Sequence, residues 1–219
     1  MQKMGAYDLA GGTIVSGSYQ GFDQTYLVNA LKKLGSGFVG VTQLPASVTD
    51  EEIIQLRQQN IRGLRFNLKR GNTENAKHLR NLAAKVHEIA EWHIELYVDS
   101  SMLMELYPIL VSMPKVSIDH LGLQKAGLKY LLKLAERGIY VKASGFGRVD
   151  FDIQKALKNI HGINPSVLMF GTDLPSTRAP RPFGHDDYLL IIDALGETDA
   201  RRVFYDNAIK FYNISEKSD

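Results

Sequence analysis

The chain has 219 residues, 44% of them hydrophobic and 23% charged, which supports one domain with a sizeable core and excludes a disordered chain. With 26 basic and 24 acidic residues and a net charge of +2, its electrostatics give no case for nucleic acid or a membrane surface as partner. The absence of cysteine removes disulfides, thiolate metal sites and cysteine nucleophiles and fits a cytoplasmic protein.

Short β-rich runs alternate with helical patterns. Residues 13–18 read as a strand, followed by a helix with Leu27, Leu31 and Leu34 on one face. A strand over 38–44 precedes a helix that Thr49 and Glu52 open with a capping box and that reaches about Asn60. The third strand is 64–68, and Leu79, Leu82, Ala83, Val86 and Ile89 mark the next amphipathic helix. A strand over 94–98, a short helix over 102–111 and a strand over 115–118 come next, the last running into Asp119-His120. Leu128, Leu131, Leu132 and Ala135 form a helical stripe that Gly138 stops. The sixth strand is 139–143, the next helix carries Ile153, Ala156, Leu157 and Ile160, and the seventh strand, 167–170, ends in Gly171-Thr172-Asp173. Helices over 187–195 and 199–212 close the chain. The result is one domain over 1–219, with no linker, in which strands alternate with helices and should therefore be parallel.

A barrel and an open doubly wound sheet both fit this order. Almost every strand ends in polar groups: Ser16 and Ser18, Gln43, Arg65 and Asn67 with Lys69 and Arg70, Tyr97 and Asp99, Asp119 and His120, Lys142 and Ser144 with Arg148, then Asp173. A cylinder would gather all of them at one mouth, whereas an open sheet needs polar ends only at its switch point, so the pattern favours the barrel. Polar loop starts are common, and any single one of these residues is weak evidence. Arg65 is more telling, since it sits inside an apolar run and needs a partner if buried. Of six histidines only His120 stands at a strand's C-terminal end.

Several motifs fail. Gly35-Ser36-Gly37-Phe38-Val39-Gly40 spells a dinucleotide fingerprint but precedes a strand instead of following one. No phosphate-binding loop, no HExxH and no GxSxG elbow is present.

Val116-Ser117-Ile118-Asp119-His120-Leu121-Gly122, Val141-Lys142-Ala143-Ser144-Gly145 and Met169-Phe170-Gly171-Thr172-Asp173-Leu174-Pro175 together resemble the amidohydrolase family. The likeness is to the amidohydrolase-2 type of metal-dependent TIM-barrel hydrolases, and among them to the 2-pyrone-4,6-dicarboxylate lactonases. Arg65-Phe66-Asn67-Leu68-Lys69-Arg70, Glu95-Leu96-Tyr97-Val98-Asp99 and Tyr205-Asp206-Asn207-Ala208 fit the same pattern in the same order. The resemblance implies an α/β fold, a TIM-like (β/α) barrel, hydrolysing a small anionic lactone or ester. By it Asp173 activates water and His120 polarises the carbonyl or ligates a metal. Arg65, Arg70 and Arg148 would hold substrate carboxylates, as guanidinium forks do, and Tyr97 and Ser18 would line the pocket.

The family opens with a strand carrying His-x-His, and nothing in this sequence matches it. The resemblance therefore implies seven strands, the family's first being missing, in a barrel N-terminally truncated relative to the family. The gap is expected to be covered by the N-terminal segment, opened to water, or paired with another chain in a homo-oligomer. His120 and Asp173 would be the metal ligands, two where catalytic zinc has three, so the expected cofactor is a divalent zinc or manganese ion or none. The alternatives are an impaired barrel that binds small anions without turnover, and a related decarboxylase.

Overall fold

Parallel strands must be joined by crossovers, and here each crossover is a helix that lays an apolar face on the sheet. The structure is a computed structural model and describes residues 4–5, 7–69 and 74–214. Its strands are β1 (Gly12–Val15), β2 (Phe38–Thr42), β3 (Ile61–Asn67), β4 (His93–Tyr97), β5 (Val116–Ile118), β6 (Tyr140–Ala143) and β7 (Leu168–Phe170). Between them lie α1 (Thr25–Leu34), α2 (Asp50–Gln58), α3 (Glu74–Ala90), α4 (Leu103–Leu110), α5 (Leu128–Glu136) and α6 (Ile153–Ile163), and after them α7 (His185–Leu195), α8 (Glu197–Arg201) and α9 (Asn207–Tyr212).

All strand pairs are parallel, and the strands follow one another in chain order from β1 to β7. That order decides against the doubly wound sheet, whose strand order must reverse at a switch point. The sheet curls, because inward side chains of distant strands meet: Val39 and Val41 of β2 share a cluster with Met169 of β7. Among the described residues β1 and β7 are the two unpaired edges, so the curl is an incompletely closed, seven-stranded TIM-like barrel.

Period-two alternation sorts the side chains. Leu64, Ile94, Leu96, Ile118 and Val141 face the helices and are 0–1% exposed. Arg65 and Glu95 pair in register, as do Asn67 and Tyr97, and all four face inward. Gly63 is in register with His93, and a Cβ there would run into the His93 imidazole. Thr49 opens α2 as the spacing indicates: its hydroxyl accepts from Glu52 N at 3.2 Å while its own N–H donates to the Glu52 carboxylate at 2.8 Å.

Three boundaries differ most from the sequence reading. β1 stops at Val15, because Gly17 leads into a turn of 3-10 helix at Ser18–Gln20. β3 begins three residues earlier than expected, at Ile61, since the polar Arg62 hides a strand start. The last helix is not one regular piece: a π-helical turn, Arg202–Asp206, joins α8 to α9.

The lower end of the barrel is filled from the C-terminus, a source the sequence reading did not name. Asn207 anchors α9 by donating to Pro165 O at 3.0 Å and Leu168 O at 2.8 Å. Phe211 then packs on His93 and Tyr140, with ring centroids 4.6 and 4.5 Å away. Tyr212 joins the Val39, Val41 and Met169 cluster. No helix among the described residues is long and apolar enough to cross a membrane.

Candidate active site

The mouth lies at the C-terminal ends of the strands. After β5 the chain turns sharply, with His120 and Leu121 at left-handed φ of 51° and 52°. Asp173, beyond β7, is also left-handed, at φ 56°. Such backbone is uncommon for residues other than glycine and concentrates where geometry serves a site. Here it brings His120 Nε2 to 3.7 Å from Asp173 Oδ1. On its other side, His120 Nδ1 is 2.9 Å from Ser144 Oγ, and its ring meets Tyr97 edge-on at 5.5 Å. Gly145 makes room for this arrangement: at φ 58°, a Cβ there would lie 2.6 Å from His120 Nδ1.

Arg148 and Arg65 each hold a carboxylate. Arg148 Nε donates to Asp173 Oδ2 at 2.6 Å, and Nη2 donates to Thr177 O at 3.0 Å. Arg65 donates from Nε and Nη2 to Asp119 Oδ2 at 3.1 and 2.9 Å, and from Nη1 to Ser16 O at 3.3 Å. Its guanidinium also lies 5.1 Å from the Tyr97 ring centroid. Arg65 thus ties β1, β3 and the end of β5 together across the mouth.

Beneath this layer runs a second, wholly buried one. Lys142 Nζ is 3.1 Å from Asp119 Oδ1 and 2.5 Å from Glu95 Oε2. Glu95 Oε1 accepts from Tyr212 OH at 2.9 Å and faces His93 Nε2 at 3.3 Å. Burial would raise the Asp119 pKa, but Lys142 and then Arg65 outweigh it and hold the carboxyl well below the usual carboxylate range. Burial likewise opposes Lys142 ionisation, and Asp119 and Glu95 overcome it, raising its pKa. For His120 burial wins: the pKa falls below the ordinary imidazole value although Asp119 and Asp173 pull it up. His93 is lowered for the same reason. At neutral pH the His120 imidazole is therefore neutral, and beside it Arg148 fixes one oxygen of Asp173.

The structure brings His120, Asp173, Arg148, Arg65 and Tyr97 together. Ser18 lies in the exposed turn after β1, and it is the buried Ser16 whose carbonyl reaches Arg65. Arg70 falls outside the described residues. Glu95, His93 and Tyr212 were not singled out from the sequence. Glu95 carried the same signal as Arg65, a charge inside an apolar strand, and Lys142 was noticed only as a strand end. Tyr212 carried none, because nothing local marks a helix residue that enters a barrel.

The donor set does not fit a catalytic metal. His120 and Asp173 supply two ligands, Asp173 Oδ2 is already engaged by Arg148, and among the described residues no group of three or more His, Cys, Asp or Glu is placed to hold an ion.

A family model described as Amidohydrolase matches residues 2–214. A 2-pyrone-4,6-dicarbaxylate hydrolase of Comamonas testosteroni is 31% identical over 112 residues, 50% of this chain; the matched stretch spans 36% of that relative's length. A structure from Acinetobacter baumannii, described as a probable 2-pyrone-4,6-dicarboxylic acid hydrolase with citric acid bound, superimposes with a TM-score of 0.82 at 20% identity, covering 97% of this chain and 86% of the other. One from Pseudomonas putida gives 0.83 at 22%, covering 98% and 87%. At these identities the structural likeness is one of fold.

Proposed function

Because the chain belongs to the amidohydrolase family, we propose that it is a hydrolase that opens a small anionic lactone or ester with water. The observation that carries this reading is the arrangement at Asp173. One carboxylate oxygen is anchored by Arg148 at 2.6 Å, and the other stands 3.7 Å from the neutral His120 imidazole. In the proposed reaction the substrate carbonyl lies over this pair. Asp173 takes a proton from water as the water oxygen attacks the carbonyl carbon. The N–H of His120 donates to the developing oxyanion, a neutral donor being suited to that charge. When the tetrahedral intermediate collapses, the ring or ester C–O bond breaks and the departing alkoxide recovers the proton from Asp173. Arg65 and Arg148 keep further N–H groups for substrate carboxylates, and the relative's printed name makes pyrone dicarboxylates the first substrates to try.

The test is hydrolysis of a panel of small lactones, pyrone dicarboxylates included, by the purified chain with added zinc or manganese and with chelator. Asp173→Asn should lose roughly 10²–10⁴-fold in kcat, the range of positioned acid–base catalysis. Calorimetric binding of the same dicarboxylates without turnover by the folded chain would instead favour the anion-binding barrel.

A further inference from the structure

Resting on the hydrolase reading for its kinetic readout, we propose that Lys142 and Tyr212 are positioning residues that set the Arg65 guanidinium from beneath the mouth. Lys142 has Glu95 and Asp119 as polar partners and Tyr212 has Glu95, and both residues are buried, at 8% and 6% exposure. They belong to one unbroken line: Tyr212 OH to Glu95, Glu95 to Lys142, Lys142 to Asp119, and Asp119 to Arg65. Charges alternate along it, two carboxylates against two cations, so the buried set is neutral only while it is complete. Each carboxylate spends one oxygen on the member above and one on the member below. Glu95 Oε1 accepts from Tyr212 and also faces His93 at 3.3 Å, and its Oε2 accepts from Lys142, while Asp119 Oδ1 pairs with the Lys142 charge at 3.1 Å and Oδ2 accepts from Arg65.

This division makes the position of Arg65 depend on groups it never touches. Without Lys142, Asp119 has only Arg65 as its counter-ion and draws the guanidinium inward, away from a substrate carboxylate. Without the Tyr212 hydroxyl, Glu95 loses a donor and leans more heavily on Lys142, loosening its hold on Asp119. Tyr212 also comes from α9, far along the chain, so the C-terminal helix reports on the mouth through this line. Buried charges in such a line are costly to leave unpaired, which is why a single deletion should propagate instead of being absorbed locally.

The experiment compares Lys142→Met, Lys142→Arg and Tyr212→Phe with the unaltered chain. We expect Lys142→Met to raise KM for a dicarboxylate lactone about ten-fold while kcat stays within about three-fold, the pattern of lost substrate holding. Lys142→Arg, which keeps the charge, should recover most of that loss. Tyr212→Phe, which removes one hydroxyl, should raise KM about three-fold with little change in melting temperature. An unchanged KM in folded Lys142→Met, or in Tyr212→Phe if the former does not fold, overturns the proposal. So does a loss that only tracks the folded fraction. A second readout, the Arg65 Nε–Hε NMR signal, needs no turnover. If the unaltered chain hydrolyses nothing, the hydrolase reading fails, yet a signal displaced in both variants still supports the line and an undisplaced one still sinks it.

Discussion

Arg148 Nε lies 2.6 Å from Asp173 Oδ2, so the guanidinium expected to clamp substrate also holds the carboxylate expected to activate water. The two duties separate kinetically. Arg148→Met should lower kcat by roughly 10²-fold if the contact chiefly orients Asp173, the scale of a small misplacement of a reacting group. An increase in KM with unchanged kcat would assign Arg148 to substrate holding alone. Steady-state kinetics on the best lactone of the panel separates them.

Acid should expose the buried carboxylates. The folded pKa of Asp119 lies well below its unfolded value because Lys142 and Arg65 outweigh burial. The unfolded chain therefore binds more protons once the pH drops below about 4. The stability this carboxylate contributes is complete above that pH and is lost as the pH falls towards the folded pKa. Glu95 acts in the same direction. Urea titrations across the acid range should show unfolding free energy falling with pH, with a shallower fall in Asp119→Asn. Equal slopes in the two proteins would contradict the assignment.

The two buried histidines should stay neutral where an ordinary imidazole is half protonated. Burial lowers both the His93 and the His120 pKa. The unfolded chain then takes up protons first, so this contribution to stability is whole above about pH 6.5 and declines as the pH falls below it. NMR titration of the ring carbons should show both midpoints below about 6.5. A midpoint at or above that value for either ring would refute the burial argument.

Gly145→Ala and Gly138→Ala should part company. Both glycines are left-handed, at φ 58° and 83°, but only Gly145 has His120 within reach of an added Cβ, at 2.6 Å. Gly138 has nothing within 4 Å. Each substitution should cost about 1–2 kcal/mol of stability from backbone strain. Only Gly145→Ala should also reduce kcat, by displacing His120 from Ser144. Melting curves and kcat on both variants decide it, and a matching kcat loss in Gly138→Ala would break the link.

Several parts of this molecule were readable without coordinates. Thr49 and Glu52 announced the start of α2, and the Leu79 to Ile89 stripe announced α3, because caps and helical faces are written within one or two turns of chain. Parallel strands followed from the alternation of elements. His120, Asp173, Arg65 and Tyr97 stood at strand ends, which a barrel must gather at one mouth. The end of β1 and the π-helical turn before α9 were missed, since both depend on how neighbouring segments dock.

The sequence by itself determined the βα rhythm, the family pattern and which polar residues stand at the strand ends, because each is carried by residue type and local spacing. Only the tertiary structure decided that the strands run in chain order around an open cylinder, that Arg148 and Arg65 hold Asp173 and Asp119, and that Tyr212 reaches Glu95 from 117 positions along the chain. Those pairings join residues far apart in the chain. Which buried charge meets which is settled by the curl of the sheet and by the cost of leaving any of them unpaired, and no local signal encodes it.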